Sequence, residues 1–243
     1  MADPINKLRN DADYYGEFGR QFLSNSDIRD LLSNPKAFKK PTEKTKAMLE
    51  GSYLHTLILE PNKIDAFQIV DATTRTTNAY KEASANAGGE ILLLRSEVES
   101  LTAIANAMKS NLYFYENIYA EGNLYEEPMV MELHGHMWKG KADIVTADYV
   151  IDIKTTADID QFRWSARKYN YDSQCYLYQM MFGKPLFFFV VEKETKRLGV
   201  FEPSEAFIND GKDKVLRAIE VYDRFFGPNA TEDVDNYFIT DTL

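Results

Sequence analysis

A chain of 243 residues with 44% hydrophobic and 13% aromatic content holds enough apolar material for a packed core, which excludes global disorder. Its single cysteine, Cys175, excludes a disulfide framework, a multi-cysteine zinc site and an iron–sulfur cluster held by four thiolates. The formal net charge of −10 opposes broad, nonspecific attraction to nucleic acid, while leaving room for a local basic channel.

Met1-Ala2-Asp3-Pro4 opens without a basic-then-apolar leader pattern. The longest apolar run, Leu186 to Val191, is far short of the roughly 20 residues of a membrane helix, so a soluble cytoplasmic product is expected. Without a repeat or a low-complexity linker, the chain reads as a single domain. Residues 1–21 form an N-terminal extension to it, 22–226 the core, and the segment from Gly227 to 243 an acidic, loose tail.

Ser24-Asn25-Ser26 supplies capping candidates for a helix through Asp27-Ile28-Arg29-Asp30-Leu31-Leu32, which Asn34-Pro35 ends. A second helix is predicted from about Lys44 to Leu59, stopped by Glu60-Pro61. Segment 62–90 carries no clear period. Val98, Leu101, Ile104, Ala105, Met108 and Leu112 recur at helical spacing and predict a long amphipathic helix.

The period then changes to two. Met129 to Trp138 alternates as a strand, Lys139-Gly140 reads as a turn, and Ala142 to Val145 as a second strand. Thr146-Ala147-Asp148 turns the chain into a third strand, Tyr149 to Lys154. A helix from Tyr171 to Phe182, strands near Leu186–Glu192 and Leu198–Phe201, and a helix from Ser204 to Phe226 complete the core. This order predicts an α/β core with a helical N-terminal region.

Chemistry concentrates where Asp143 precedes Asp152-Ile153-Lys154 by one strand. Alternation in an extended strand sends Asp152 and Lys154 to one side and Ile153 to the core. Two carboxylates beside one ammonium suit a hard divalent cation and the water it activates. Asp143 and Asp152 are therefore candidate ligands, with the Ile153 carbonyl as a third, and Lys154 is the candidate catalytic cation.

His55 follows Gly51 by one helical turn, leaving space beside the imidazole for a metal or a strand. Glu126 or Glu127, at the start of the first meander strand, offers one more carboxylate near the cation. Gln174 and Tyr178 share a helix face and could brace the lysine or reach a DNA phosphate. His134 and His136 read as partly exposed strand residues, and Cys175 as buried packing. Lys36, Lys39, Lys40, Lys44 and Lys46 form one basic cluster and Arg163, Arg167 and Lys168 another; each is a solvated helix face or the wall of a basic channel.

Taken in order from about residue 22 to 226, these segments resemble the PD-(D/E)XK nuclease superfamily, and within it the RecE/exonuclease VIII type of phage recombination exonuclease. The motifs that carry the resemblance begin with Leu23-Ser24-Asn25-Ser26, Asn34-Pro35 and Phe38, then Gly51-x-x-x-His55 ending in Leu59-Glu60-Pro61. Glu127, Lys141-Ala142-Asp143, Asp152-Ile153-Lys154-Thr155-Thr156 and Tyr171-x-x-Gln174-x-x-x-Tyr178 follow.

The resemblance implies a restriction-endonuclease-like fold, with a central mixed sheet flanked by helices. It implies a Mg²⁺-dependent exonuclease, with Mn²⁺ able to substitute, degrading duplex DNA ends 5′ to 3′ in phage-type recombination. By the same analogy His55, Asp143, Asp152 and Glu127 are metal ligands, Lys154 is the catalytic lysine, and Gln174 and Tyr178 support the site or the DNA. A homo-oligomeric ring and a single-strand annealing partner are further implications. The alternatives are a structure-specific or single-strand nuclease of the same superfamily, and a non-catalytic acidic binding protein.

Overall fold

The computed structural model describes residues 3–240, so the first two residues of the N-terminal extension and the last three of the tail lie outside it. The extension is not bare coil. Asp3 caps α1 (Pro4–Leu8) and Asn10 caps α2 (Asp11–Tyr15), each accepting a backbone N–H of the first turn. In α3 (Asn25–Ser33) the Asp27 carboxylate accepts from Ser24 N at 2.8 Å and Ser24 Oγ at 2.7 Å, which fixes the entry to the helix. Thr45 caps α4 (Lys46–Leu59), whose N–H groups would otherwise be unpaired.

The stretch without a clear period folds as a small satellite. β1 (Ile69–Val70) pairs in parallel with β2 (Leu93–Leu94), and α5 (Asn78–Asn86) lies between them in sequence. The long amphipathic helix is α6 (Arg95–Ser110), and a break at Asn111 separates it from α7 (Leu112–Ile118).

The main sheet has five strands in the order β3 (Leu124–Leu133), β4 (His136–Val145), β5 (Val150–Thr156), β6 (Leu186–Glu192) and β7 (Leu198–Phe201). Neighbours are antiparallel except for β5 and β6, which are parallel and joined by a crossover through α8 (Phe162–Lys168) and α9 (Tyr171–Phe182). The long closing helix is α10 (Glu205–Phe225). This is the expected mixed sheet flanked by helices.

One core joins α3, α9 and α10 to Trp138, Ala142, Val150, Phe188 and Val190 on one sheet face. The other joins α4, α6 and α7 to Ile144, Ile151, Ile153, Phe189 and Val191. The alternation along β5 therefore sends Asp152 and Lys154 towards the side of α9, and the isoleucines away from it.

Two expectations are corrected. The turn read at Lys139-Gly140 lies instead at His134-Gly135, both with positive φ (52° and 77°), so His134 is a turn residue. Leu133 pairs with His136 across this two-residue turn. The period-two pattern therefore runs unbroken through the turn and hides it. Gly140 is mid-strand because α9 passes close: a Cβ there would sit 2.9 Å from Met181 Sδ and Tyr178 Cε1.

The tail read as loose folds back instead. Arg224 pairs with Glu232 at 2.6 Å, Lys36 donates to Asp235 O at 2.6 Å, and Val234–Asn236 makes one 3₁₀ turn. No helix among the described residues is long and apolar enough to cross a membrane.

Candidate metal and catalytic site

The β4–β5 ladder stops at the pair Ile144 and Ile151. One step on, where Asp143 and Asp152 would face each other, Ile153 N–H donates to Asp143 Oδ2 at 2.7 Å. A side chain thus replaces the lost backbone partner, satisfying a buried donor and fixing the rotation of the carboxylate. On the other side of β4, the pairs Tyr125–Ile144 and Glu127–Ala142 flank an interrupted step at Glu126 and Asp143.

Glu126 has φ +48°, a left-handed conformation costly for a non-glycine residue, of order 1–3 kcal/mol. The kink aims its carboxylate at His55 on α4, 3.8 Å from Nδ1, and Asp143 Oδ1 lies 3.4 Å from the same nitrogen. Ligand atoms of His55, Glu126 and Asp143 all lie within 4.8 Å of one another. Glu127 points elsewhere, into a two-pronged pair with Arg9 at 2.5 and 2.6 Å. Of the two acids, the geometry therefore brings Glu126, and not Glu127, to the cluster. No local sequence signal separated them, because the deciding feature is a backbone kink.

His55 Nε2 is 3.1 Å from the Ile153 carbonyl. With the proton on Nε2, Nδ1 keeps a lone pair facing the acids, and the carbonyl retains its second lone pair. Burial opposes the imidazolium, but Asp143 and Glu126 outweigh it and raise His55 well above its ordinary value.

Asp152 is almost fully buried. Gln174 Nε2 donates to its Oδ1 at 2.6 Å. Lys154 Nζ lies 2.5 Å from Oδ2, so the carboxylate is held by one amide and one ammonium. Burial pushes Asp152 up to about 6 against the pull of Lys154, and the Asp143 charge adds to the rise. Asp143 goes the other way: burial would raise it, but His55, Lys154 and the Ile153 N–H hold it below the ordinary range. Lys154 is raised despite burial because Asp152 stabilises the ammonium, whose Nζ lies 4.8 Å from the Tyr171 ring centroid.

Tyr178 sits one helical turn beyond Gln174 on α9. Its hydroxyl donates to Lys141 O at 2.8 Å and accepts from Lys141 N at 3.2 Å, covering the backbone groups that the end of the β4–β5 ladder leaves unpaired. Gln174 and Tyr178 thus hold the two carboxylate-bearing strands from one face. Cys175 between them is buried, and burial raises its thiol.

A cavity of about 500 Å³ opens onto the cluster, walled by His55, Glu126 and Asp143 and by Tyr15, Ser24 and Gly51. The N-terminal helices close one side of it. Lys141 Nζ pairs with Asp11 at 2.5 Å, and Lys139 donates to the Tyr14 carbonyl while lying 4.1 Å from the Tyr14 ring centroid. Burial lowers Lys139 to about 8. The role of the extension in walling the site carried no signal in its own residues.

Within the first basic cluster, Lys36 and Lys39 donate to backbone carbonyls and Lys46 pairs with Glu50 and Glu97. The His55 imidazole and the Glu126 and Asp143 carboxylates are a donor set for a hard or borderline divalent cation, with the Asp152–Lys154 pair across the strand gap from Asp143.

Residues 24–228 match the family described as a PDDEXK-like domain of unknown function (DUF3799). In fold, the chain is similar to a solved protein of Eubacterium rectale that carries a provisional exonuclease name. The two share 18% identity and a TM-score of 0.66, over 96% of this chain and 95% of that one. The solved protein SSO0001 aligns at 16% identity over 78% of this chain and 83% of its own, with a TM-score of 0.31. No curated protein matches the chain. With the match spanning most of the sequence and the acidic cluster seated at the opening of a mixed sheet, the chain belongs to the PDDEXK-like family DUF3799.

Proposed function

We propose that this chain is a divalent-metal-dependent DNA exonuclease of the RecE/exonuclease VIII type. It hydrolyses phosphodiester bonds inward from duplex ends, 5′ to 3′, in phage-type recombination or DNA processing, with Mg²⁺ as the physiological ion. The observation that carries the reading is the meeting of His55, Glu126 and Asp143 with the Asp152–Lys154 pair where β4 and β5 part.

A divalent ion held by His55, Glu126, Asp143 and Asp152 would supply Lewis-acid polarisation of a phosphoryl oxygen and an acidified water. The remaining work falls to the chain itself. Lys154, kept protonated by Asp152, presents a fixed positive charge to a phosphate oxygen and to the charge that grows on it. Gln174 holds Asp152, and the Ile153 N–H holds Asp143, so neither carboxylate has to reorganise when substrate arrives. Tyr178 keeps the β4 backbone in place beside them.

The test is digestion of duplex DNA labelled at either 5′ or 3′ ends, with closed circular DNA beside it. Mg²⁺-dependent release from the 5′ label, an intact circle, and loss of activity in Asp152→Asn are the expected results. Digestion of the circle would remove end dependence, and an inert wild-type protein on all DNA would remove the nuclease reading.

A further inference from the structure

A line of aromatic rings leads from Lys154 out to solvent. Lys154 Nζ lies 4.8 Å from the Tyr171 ring centroid, and the Tyr171 ring is 6.0 Å from that of Tyr169. Tyr171 is packed against Phe162 and Phe188, but Tyr169 is 59% exposed. Lys168 Nζ lies 6.0 Å from the Tyr169 ring centroid. Trp164, 62% exposed, is one turn before Lys168 on the same face of α8.

The corner that carries Tyr169 is held in place. Asn170, between the two tyrosines, is left-handed (φ +58°), and three elements hold it so. Its carbonyl accepts from Asn25 Nδ2 of α3 at 3.1 Å and from Ser173 Oγ of α9 at 3.0 Å. Its side-chain oxygen accepts from Lys214 Nζ of α10 at 2.9 Å. These bonds fix the backbone between Tyr169 and Tyr171, so the Tyr169 ring is carried on a held corner. Charge agrees: on a chain of net charge −10, no acid occurs between Asp160 and Asp172, a stretch that holds Arg163, Arg167 and Lys168. Arg167 pairs with Asp210, whereas Arg163 and Lys168 make no ion pair among the described residues.

We propose that Tyr169, with Trp164 beyond it, is a stacking platform for unpaired nucleobases of the strand whose phosphate lies at Lys154. The proposal rests on the nuclease reading for the identity of that strand. An exposed aromatic ring flanked by cations offers a base a π-face and its phosphates a counter-charge, a pairing that favours single strands without sequence preference. A paired base in a duplex has its faces already covered, so the platform assigns an unpaired segment to this side of the scissile bond.

Trp138 is fully buried and Trp164 is the only other tryptophan, so a change in intrinsic fluorescence on binding reports on Trp164. The full chain, in EDTA at low salt, is titrated with a 12-nucleotide oligo(dT) and with an abasic oligonucleotide of equal length and charge. Quenching by oligo(dT), with affinity roughly tenfold above that for the abasic strand, is expected from stacking of one base. Tyr169→Ala should erase that ratio, and Tyr169→Phe should keep it. Equal affinity of the wild-type protein for both strands, or an unchanged ratio in Tyr169→Ala, overturns the proposal. The assay contains no metal, so a failure of the nuclease reading shows up separately, as absent cleavage in Mg²⁺.

Discussion

Gln174 donates to Asp152 across 2.6 Å, joining a helix side chain to the strand carboxylate that burial has already pushed up to about 6. Removing the donor in Gln174→Ala leaves Oδ1 without its partner and disfavours the ionised form further. Mn²⁺ affinity should fall about 10–100-fold, as for other groups that orient a metal ligand. Because Asp152 must be ionised to bind, the loss should be larger at pH 6 than at pH 8. Calorimetric titration at both pH values checks this, and an equal loss would remove the charge argument.

Glu126 and Glu127 are adjacent in sequence but face different partners, His55 and Arg9. Glu126→Gln should weaken Mn²⁺ binding about 10–100-fold and leave the fold intact, since it relieves repulsion around Asp143. Glu127→Gln should leave Mn²⁺ affinity unchanged and loosen the N-terminal helices, because it breaks the pair with Arg9. Faster proteolysis within residues 3–21 is the readout for the second variant. Reversal of the two effects would restore Glu127 as the ligand.

Lys154 separates binding from chemistry. Lys154→Met keeps the chain length and removes the charge. The loss of the ammonium also removes the pull that lowers Asp152, but a bound cation supplies that charge in its place. At pH 8 Mn²⁺ should therefore still bind, while the cleavage rate falls by about 10²–10³. Paired calorimetry and single-turnover digestion give both numbers. A proportionate loss of metal binding would make the lysine a structural counter-ion instead.

Away from the site, Glu97 accepts from Arg75 at 2.6 and 2.8 Å and from Leu94 N at 3.0 Å, and Lys46 lies 2.9 Å away. These partners outweigh burial and lower its carboxyl from 4.5 to about 2. A depressed folded-state value contributes stability that is complete above about 4.5 and is lost as pH falls through 2. The shift corresponds to about 3 kcal/mol at most. Urea unfolding of wild type and Glu97→Gln should therefore differ by about 2–3 kcal/mol at pH 7 and converge towards pH 2.

Two helical glycines make a contrast in packing. A Cβ at Gly211 would lie 2.1 Å from the Asp172 carbonyl oxygen, so Gly211→Ala must push α10 off α9, at a cost of about 1–3 kcal/mol. At Gly51 a Cβ meets nothing within 4 Å, so Gly51→Ala should stabilise α4 by up to about 1 kcal/mol. The thermal midpoints should move in opposite directions by a few degrees.

Much of this molecule is decided locally. Apolar period, caps and breakers set α9, β6 and β7 to the residue, and set α3, α4 and α10 to within two. Alternation alone also puts Asp152 and Lys154 on one side of β5. These features depend on neighbours a few residues apart, so one sequence window contains their cause. The hairpin turn escaped because a two-residue connection preserves the alternation that would have marked it.

The site itself needed the tertiary structure. That Asp143 caps the Ile153 N–H depends on where β4 and β5 part, and that Gln174 reaches Asp152 depends on how α9 crosses the sheet. Glu126 faces His55, and Glu127 faces Arg9, because of one left-handed residue whose strain is held by contacts more than seventy positions away in the chain. Residue types and strand period determine which groups are available. Their convergence is a balance of long-range packing against local backbone cost, and no window of sequence contains both sides of it.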